Sequence, residues 1–131
     1  MVGLPLRKLR RDGERGAAVV EFALVSVVLI PLFMSIVSIG VFLHVRNTMS
    51  MCAHEGARAG ANWNSPVSDG KVYAENCITS ALGSRWASGV TATTEGELVV
   101  VTMRGHFTPF GWFQALWDPT FTVRGHAVNE G

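Results

Sequence analysis

The stretch AAVVEFALVSVVLIPLFMSIVSIGVFL, from Ala17 to Leu43, decides the fold of this chain. Its 27 residues contain one charged side chain, Glu21. Residues Phe22–Leu43 alone would form a helix about 33 Å long at about 1.5 Å per residue, and about 20 apolar residues are enough to cross the hydrocarbon core of a bilayer. The run is longer than the apolar part of a secretory signal, and the remaining chain is too short to cover it on all sides. The sequence therefore predicts a membrane-spanning helix.

Charge is distributed unevenly about this span. Residues 1–16 form a polar leader without helical periodicity and have a net charge of +3, whereas residues 17–131 have a net charge of −2. Basic residues that flank a span stay in the cytoplasm, so the amino terminus is predicted inside and residues from about Arg46 onward outside. The outer part lacks the clustered Lys and Arg of a nucleic-acid surface, and no direct nucleic-acid site is evident.

The helix is expected to continue beyond the span to about residue 61. In NTMSMCAHEGARAGA, small or apolar residues recur at steps of three and four, which indicates a helix face that another element can approach closely. Glycine costs about 1 kcal/mol in a helix interior, so Gly56 and Gly60 indicate a packing requirement, and fraying after Glu55 is the alternative. The opposite side carries a weak pair of Glu55 and Arg58. The small-residue face consists of Met49, Cys52, Ala53, Gly56, Ala57 and Gly60.

Residues 62–131 are predicted to form an extracytoplasmic α+β domain. NWNSP ends the long helix with turn residues and a proline, and Ser68 or Asp69 can cap a second, short helix that reaches about residue 82. VTATT and ELVVVTMRGHF are typical of two strands joined by a hairpin at Glu95-Gly96, and TFTVRGHAV is typical of a third strand. The fold class is therefore α+β, with a long amino-terminal helix, a second short helix and a small antiparallel sheet of about three strands.

Glu21 lies where a charge is expensive. A charged side chain at the centre of a bilayer costs about 2.5–3.5 kcal/mol on insertion scales, so it needs a partner or a function. If the chain is cut between Gly16 and Ala17, the new amino terminus is an ammonium group one helical turn from Glu21. A carboxylate in the first turn also interacts favourably with the helix dipole. Glu21 can then pair with the amine of its own chain or of a neighbouring chain.

Residues 10–61 resemble a known family. A basic leader, a glycine, and an apolar helix with Glu at its fifth position and an aromatic residue at its sixth resemble a type III prepilin signal. The extension ARAGA after a span of this length resembles the TadE-like proteins, which are minor pilins or pseudopilins of tight-adherence (Tad/Flp) pili. The resemblance implies a protein of the cytoplasmic (inner) membrane that takes part in priming, assembly or capping of a Tad-type pilus. Its implied partners are other pilin subunits, the Tad assembly machinery, membrane lipid and a prepilin peptidase.

The same resemblance implies roles for four residues. A prepilin peptidase cuts such chains after the glycine, so residues 1–16 would be the leader, residues 17–61 the transmembrane and extended pilin-like helix, and Gly16 and Ala17 would flank the cut. Glu21 and Phe22 would act in assembly, with the glutamate compensating a subunit's amino terminus. Type IV pilins usually begin with Phe, so Ala17 leaves methylation of the mature amino terminus open.

Two other readings of the amino-terminal half stay open. The first alternative is a signal-anchored cell-surface binding protein with no assembly role, in which Glu21 snorkels to the cytoplasmic interface. The second is a pseudopilin of a secretion system. Major Flp pilins are shorter and nearly all helical, which favours a minor pilin over a major one.

The two cysteines, Cys52 and Cys77, are both on the predicted outer side, where disulfides are permitted. A bridge between them would close about 26 residues and restrict the unfolded chain by about 3–4 kcal/mol. We therefore predict a disulfide, and two buried free thiols are the alternative.

The remaining motifs do not indicate chemistry. The histidines are not spaced as metal ligands, no motif of catalysis or phosphate binding is present, and no enzyme activity, metal or cofactor is expected. The aromatic loop FGWFQALW, residues 110–117, is either core or an exposed binding surface. The histidines are His44, His54, His106 and His126.

Overall fold

A computed structural model of the chain describes residues 4–109 and 115–129, with side chains from Gly13 onward. The elements are α1 (Leu4–Gly60), α2 (Val67–Ala81), a 3-10 helix (Ser84–Gly89), β1 (Val90–Glu95), β2 (Leu98–His106) and β3 (Thr120–Val128). A long amino-terminal helix, a short second helix and a three-stranded antiparallel sheet confirm the predicted α+β class. The chain divides after Val37 into two compact units, which are described separately.

The helix α1 begins at Leu4, well before the predicted start at Ala17. Each residue added to an existing helix gains one backbone hydrogen bond, so a helix propagates easily beyond its stable part. Gly13 and Gly16 oppose this by only about 1 kcal/mol each. The predicted start at Ala17 was therefore wrong, because it relied on apolar periodicity, which an exposed helix does not need.

From Ala17 to Val37 the first unit is an apolar helix whose side chains are not covered by protein. None of the side chains from Gly13 to Val37 is buried, and the helix is long and apolar enough to cross a membrane. Pro31 lies inside the helix without ending it, and the Ser35 hydroxyl donates a hydrogen bond to the Pro31 carbonyl at 2.7 Å. A helix that is apolar on all sides suits a lipid environment, which is consistent with a single-pass, membrane-anchored protein.

The three strands of the second unit form one sheet in the order β1-β2-β3, with both pairings antiparallel. Glu95 is the partner of Leu98, so the hairpin loop consists of Gly96 and Glu97, one residue later than predicted. Gly96 has a φ of 64°, a conformation that glycine adopts without steric cost. The sequence thus predicted the hairpin, and its glycine sets the exact turn.

The helix α2 begins without the predicted side-chain cap. Pro66 is the N-cap residue, its backbone is extended, and no side chain caps the helix. Ser68 and Asp69 lie inside the first turn, so the expectation that one of them caps the helix was wrong. The ring of Pro66 sets its own φ, and its extended ψ makes it the last non-helical residue. Asp69 instead places a negative charge where it complements the helix dipole.

The hydrophobic core of the second unit is formed by α1, α2 and the sheet. The small-residue face of α1 is buried, and α1 continues to Gly60 instead of fraying after Glu55. Glu55 and Arg58 form the predicted pair on the exposed side, with 3.9 Å between charged atoms. The core consists of Val45, Met49, Cys52, Ala53, Ala57, Ala74, Ile78, Val90, Val101, Met103 and Val123.

Candidate functional site

Every residue of the segment Gly16–Phe22, which carries the predicted processing and assembly residues, is exposed. Phe22 is 75% exposed, and the position of a side chain on Gly16 is open. No described side chain forms an ion pair with Glu21. These residues are therefore accessible to a peptidase or to another subunit, and their roles stay predictions.

The small-residue face of α1 is the contact surface for α2. A Cβ on Gly56 would lie 2.7 Å from both the Ala74 Cβ and the Gly70 carbonyl oxygen, and a Cβ on Gly70 would lie 2.6 Å from the Gly56 oxygen. A Cβ on Gly60 would lie 3.2 Å from the Gly70 Cα. At Gly56 and Gly70 the two helices approach so closely that only glycine fits, and Gly60 lies in a tight contact beside them. This is the packing requirement that the glycines of α1 indicate.

This contact predicts opposite effects for two glycine-to-alanine changes in helices. Gly70→Ala should destabilise the protein by about 1–3 kcal/mol, because the new methyl group overlaps the Gly56 carbonyl. Gly40→Ala has no atom within 4 Å of its new methyl group and should be neutral or stabilising by about 1 kcal/mol, since alanine favours the helix. Denaturant unfolding in detergent measures both changes. A loss of stability for Gly40→Ala as large as that for Gly70→Ala would contradict the packing explanation.

The strand β3 also contacts α1 through a glycine. A Cβ on Gly125 would overlap the backbone of Ala53, and a Cβ on Gly105 would overlap the ring of Phe121. Gly105 and Phe121 are partners across β2 and β3. Gly105 and Gly125, each between an arginine and a histidine, are therefore both at positions of close approach.

A disulfide joins Cys52 of α1 to Cys77 of α2, which is the predicted pairing. The two Cα atoms are 5.6 Å apart, within the usual range for a disulfide, and Cys52 is completely buried. The bridge holds α2 on the same face of α1 as the glycine contact does.

The histidines occur at separate places. β2 and β3 are neighbours in the sheet, but His106 and His126 lie toward opposite ends of the ladder. The His106 Nε2 is 2.6 Å from an Asp118 carboxylate oxygen, and the His126 ring is 5.6 Å from that of His54. Among the described residues, no group of three or more His, Cys, Asp or Glu residues is arranged to hold a metal ion.

An aromatic cluster surrounds Phe42, near the end of the apolar run. Three rings meet it edge to face with centroids 5.3–5.6 Å away. Of the predicted aromatic loop, residues 110–114 lie outside the described residues. Trp117 is half-buried, whereas Leu116 is 70% exposed. The described end of the loop, residues 115–117, therefore contributes both to packing and to the surface. The three rings belong to Phe107, Trp117 and Phe121.

Three contact positions were not found by reasoning from the sequence. Gly70 carried a signal, because a glycine inside a predicted helix usually has a packing reason. Phe42 carried none, since every neighbour in its run is also apolar. Gly125 read only as part of an alternating strand.

Comparison with known proteins assigns part of the chain to a known family model. Residues 16–58 match a family model described as TadE-like protein. The match begins at Gly16 and covers the exposed apolar helix and most of the small-residue face, and it ends before α2 and the sheet. It confirms the resemblance to TadE-like proteins of the Tad pilus system. No curated protein and no solved structure matches the chain.

Proposed function

From the TadE-like region at residues 16–58, which associates the chain with the Tad pilus system, we propose that the protein is a minor pilin or pseudopilin. It is cleaved after Gly16 and takes part in priming, assembly or capping of a Tad-type pilus. The observation that carries the proposal is that the matched region begins at the glycine where the charged leader meets the apolar helix. The role is structural, and no catalytic step or cofactor belongs to it.

The proposed topology has the amino terminus in the cytoplasm and the second unit outside. Two observations support it. The leader is basic, and basic residues beside a span stay inside. The buried disulfide between Cys52 and Cys77 suits an oxidising compartment, because disulfides are rare in the cytoplasm. The protein would thus be a single-pass protein of the inner membrane with its folded domain outside.

In this proposal the two units have separate tasks. The exposed apolar helix up to Val37 packs against the helices of other pilin subunits. The disulfide and the glycine contact hold the outer domain on the second part of α1, where it meets the assembly machinery. Cleavage produces an ammonium group at Ala17, and Glu21 of the same or a neighbouring subunit neutralises it at membrane depth.

The mature protein should begin at Ala17 when a prepilin peptidase is present. Intact-mass analysis of membrane-extracted protein should show the loss of residues 1–16. Gly16→Val should keep the full mass, whereas the control Gly13→Val should be processed normally. Neither glycine has a neighbour within 4 Å of its Cβ position, so a difference between the two variants reports recognition by the peptidase. A wild-type chain that keeps its leader beside an active peptidase would favour the signal-anchored binding protein.

A further inference from the structure

Two histidines meet at the contact between α1 and β3. The rings of His54 on α1 and His126 on β3 have their centroids 5.6 Å apart, with an angle of 65° between the ring planes. Both residues are exposed, and both belong to the unit that begins at Ser38. Because they are far apart in the sequence, the spacing of histidines along the chain does not reveal the pair.

The backbone beside each histidine is held in place by packing. A Cβ on Gly125 would overlap the backbone of Ala53 and the backbone nitrogen of His54, and both Gly125 and Ala53 are buried. The strand and the helix are therefore in backbone contact at the residues next to the pair. Since a close-packed contact of this kind does not open while the unit stays folded, the two histidines are preorganised and lose little freedom on binding a shared ligand.

Both imidazole rings keep nitrogen atoms that can bind a metal ion. Among residues 13–109 and 115–129, neither ring has a partner in a hydrogen bond or an ion pair. A neutral imidazole has one nitrogen with a free lone pair, and imidazole suits zinc, copper and nickel. The terminal torsion of a histidine side chain has broad minima, so an exposed ring can turn either edge toward its neighbour.

The separation of the two rings matches that of two ligands of one zinc ion. Zinc sites in proteins are tetrahedral with Zn–N bonds of about 2.0–2.1 Å, and a ring nitrogen is about 1.2 Å from the ring centroid, so two imidazoles on one zinc ion have centroids about 5.3 Å apart. The observed 5.6 Å is close to this value, and small rotations of exposed side chains remove the difference. The right angle of a square-planar copper or nickel site would require about 4.6 Å.

The charges around the pair permit a bound cation. Arg58 lies one helical turn after His54, and its guanidinium is 3.9 Å from a Glu55 carboxylate oxygen. Arg124 lies in the same strand as the second histidine, and its guanidinium is 3.9 Å from a Glu95 carboxylate oxygen. Both arginines thus have a carboxylate that compensates their charge.

We propose that His54 and His126 together bind one zinc ion, which joins α1 to β3. The two imidazoles supply half of a tetrahedral ligand set, and water supplies the rest. The bridge differs from the disulfide, which joins α1 to α2. Because the two histidines come together only in the folded chain, zinc binding stabilises the folded unit. The inference concerns this unit alone and does not depend on cleavage after Gly16.

Thermal unfolding of the chelator-treated full chain in detergent tests whether zinc binds the folded state. Zinc at ten times its dissociation constant should raise the Tm by about 6–11 °C, and a chelator should reverse the rise. Mg²⁺ and Ca²⁺ at the same concentration should leave the Tm unchanged, because both prefer oxygen ligands. An equal rise with Mg²⁺ would indicate a general effect of divalent charge and would overturn the inference, as would no rise with zinc.

Single substitutions locate the zinc ion. His54→Gln and His126→Gln should each weaken zinc binding, measured by equilibrium dialysis, by about tenfold or more, because one imidazole remains. His44→Gln and His106→Gln make the same change at the other two histidines and should bind zinc as wild type does. Unchanged binding in either variant of the pair would overturn the inference. Loss of binding in His106→Gln would do so too, because it would place the ion at His106 and Asp118, whose side chains are 2.6 Å apart.

Chemical modification of the wild-type chain tests the pair without relying on a variant that folds. Diethyl pyrocarbonate acylates imidazole nitrogens that are free, and all four histidines are exposed. Zinc should protect His54 and His126 together, as measured by mass spectrometry of the separated peptides, and should leave His44 and His106 reactive. Protection of one member of the pair alone, or equal protection of all four histidines, would contradict a shared zinc ion.

Discussion

Glu21→Gln should reduce crosslinking of the protein to other pilin subunits by orders of magnitude, while its membrane insertion and its cleavage remain at wild-type levels. A neutral glutamine is easier to place in lipid than a glutamate, so insertion does not suffer. What the change removes is the carboxylate able to pair with a released ammonium group at membrane depth. A buried charge that loses its partner is strongly destabilising. The change should therefore weaken the association of subunits, because the ammonium group is left unpaired in the assembled state.

The measurement compares crosslinking of wild type and Glu21→Gln in membranes that contain the other pilin subunits. Glu14→Gln is the matched control, because it makes the same chemical change in the leader, which cleavage removes from the mature protein. Membrane levels and intact masses establish that all three chains are inserted and processed. Equal crosslinking of Glu21→Gln and wild type would mean that Glu21 only snorkels to the interface, and the signal-anchor alternative would then lead.

Loss of the disulfide should remove a large part of the stability of the outer domain. Cys52 and Cys77 are 25 residues apart, and releasing a loop of this size costs about 3–4 kcal/mol in the entropic account. A unit the size of residues 38–131 has a total stability of about 5–14 kcal/mol. The paired change Cys52→Ala and Cys77→Ala should therefore lower the Tm by about 12–30 °C.

Thermal unfolding in detergent with and without a reducing agent measures this effect and supplies its own control. The reducing agent should lower the Tm of wild type to about that of the double variant and should leave the Tm of the double variant unchanged. If both proteins respond equally to the reducing agent, the stability loss has another cause. Two freely alkylated thiols in exported, non-reduced protein would show that the bridge does not form in the cell.

Much of the fold was predictable because periodicity and turn residues carry it. The end of α1 near residue 60, its small-residue face and the hairpin all follow from local patterns. The start of α1 at Leu4 did not follow from such a pattern, because a helix outside a core needs no apolar periodicity. The cap of α2 was missed because Pro66 itself is the last non-helical residue, whatever Ser68 and Asp69 offer.

The candidate site was predictable only in part. The pairing of Cys52 with Cys77 followed from there being two cysteines on one side of a span. The element that packs on the small-residue face could not be predicted. A stripe of small residues indicates that another element approaches closely, but it does not indicate which one. The ring contacts of Phe42 could not be predicted for a different reason. In a run where nearly every residue is apolar, no pattern distinguishes a side chain that faces lipid from one that packs on aromatic rings.

The contact of Gly56 with Gly70 restricts how such a chain can diverge. Each glycine occupies the space that a side chain on the other would need. Replacing either one with a larger residue therefore costs stability, and we expect both positions to remain glycine together. Gly70 lies beyond Arg58, where the TadE-like match ends. Recombination that joins this helix to a foreign outer domain would therefore succeed only when the incoming domain offers a similarly bare backbone position, which limits domain exchange among relatives that share the helix.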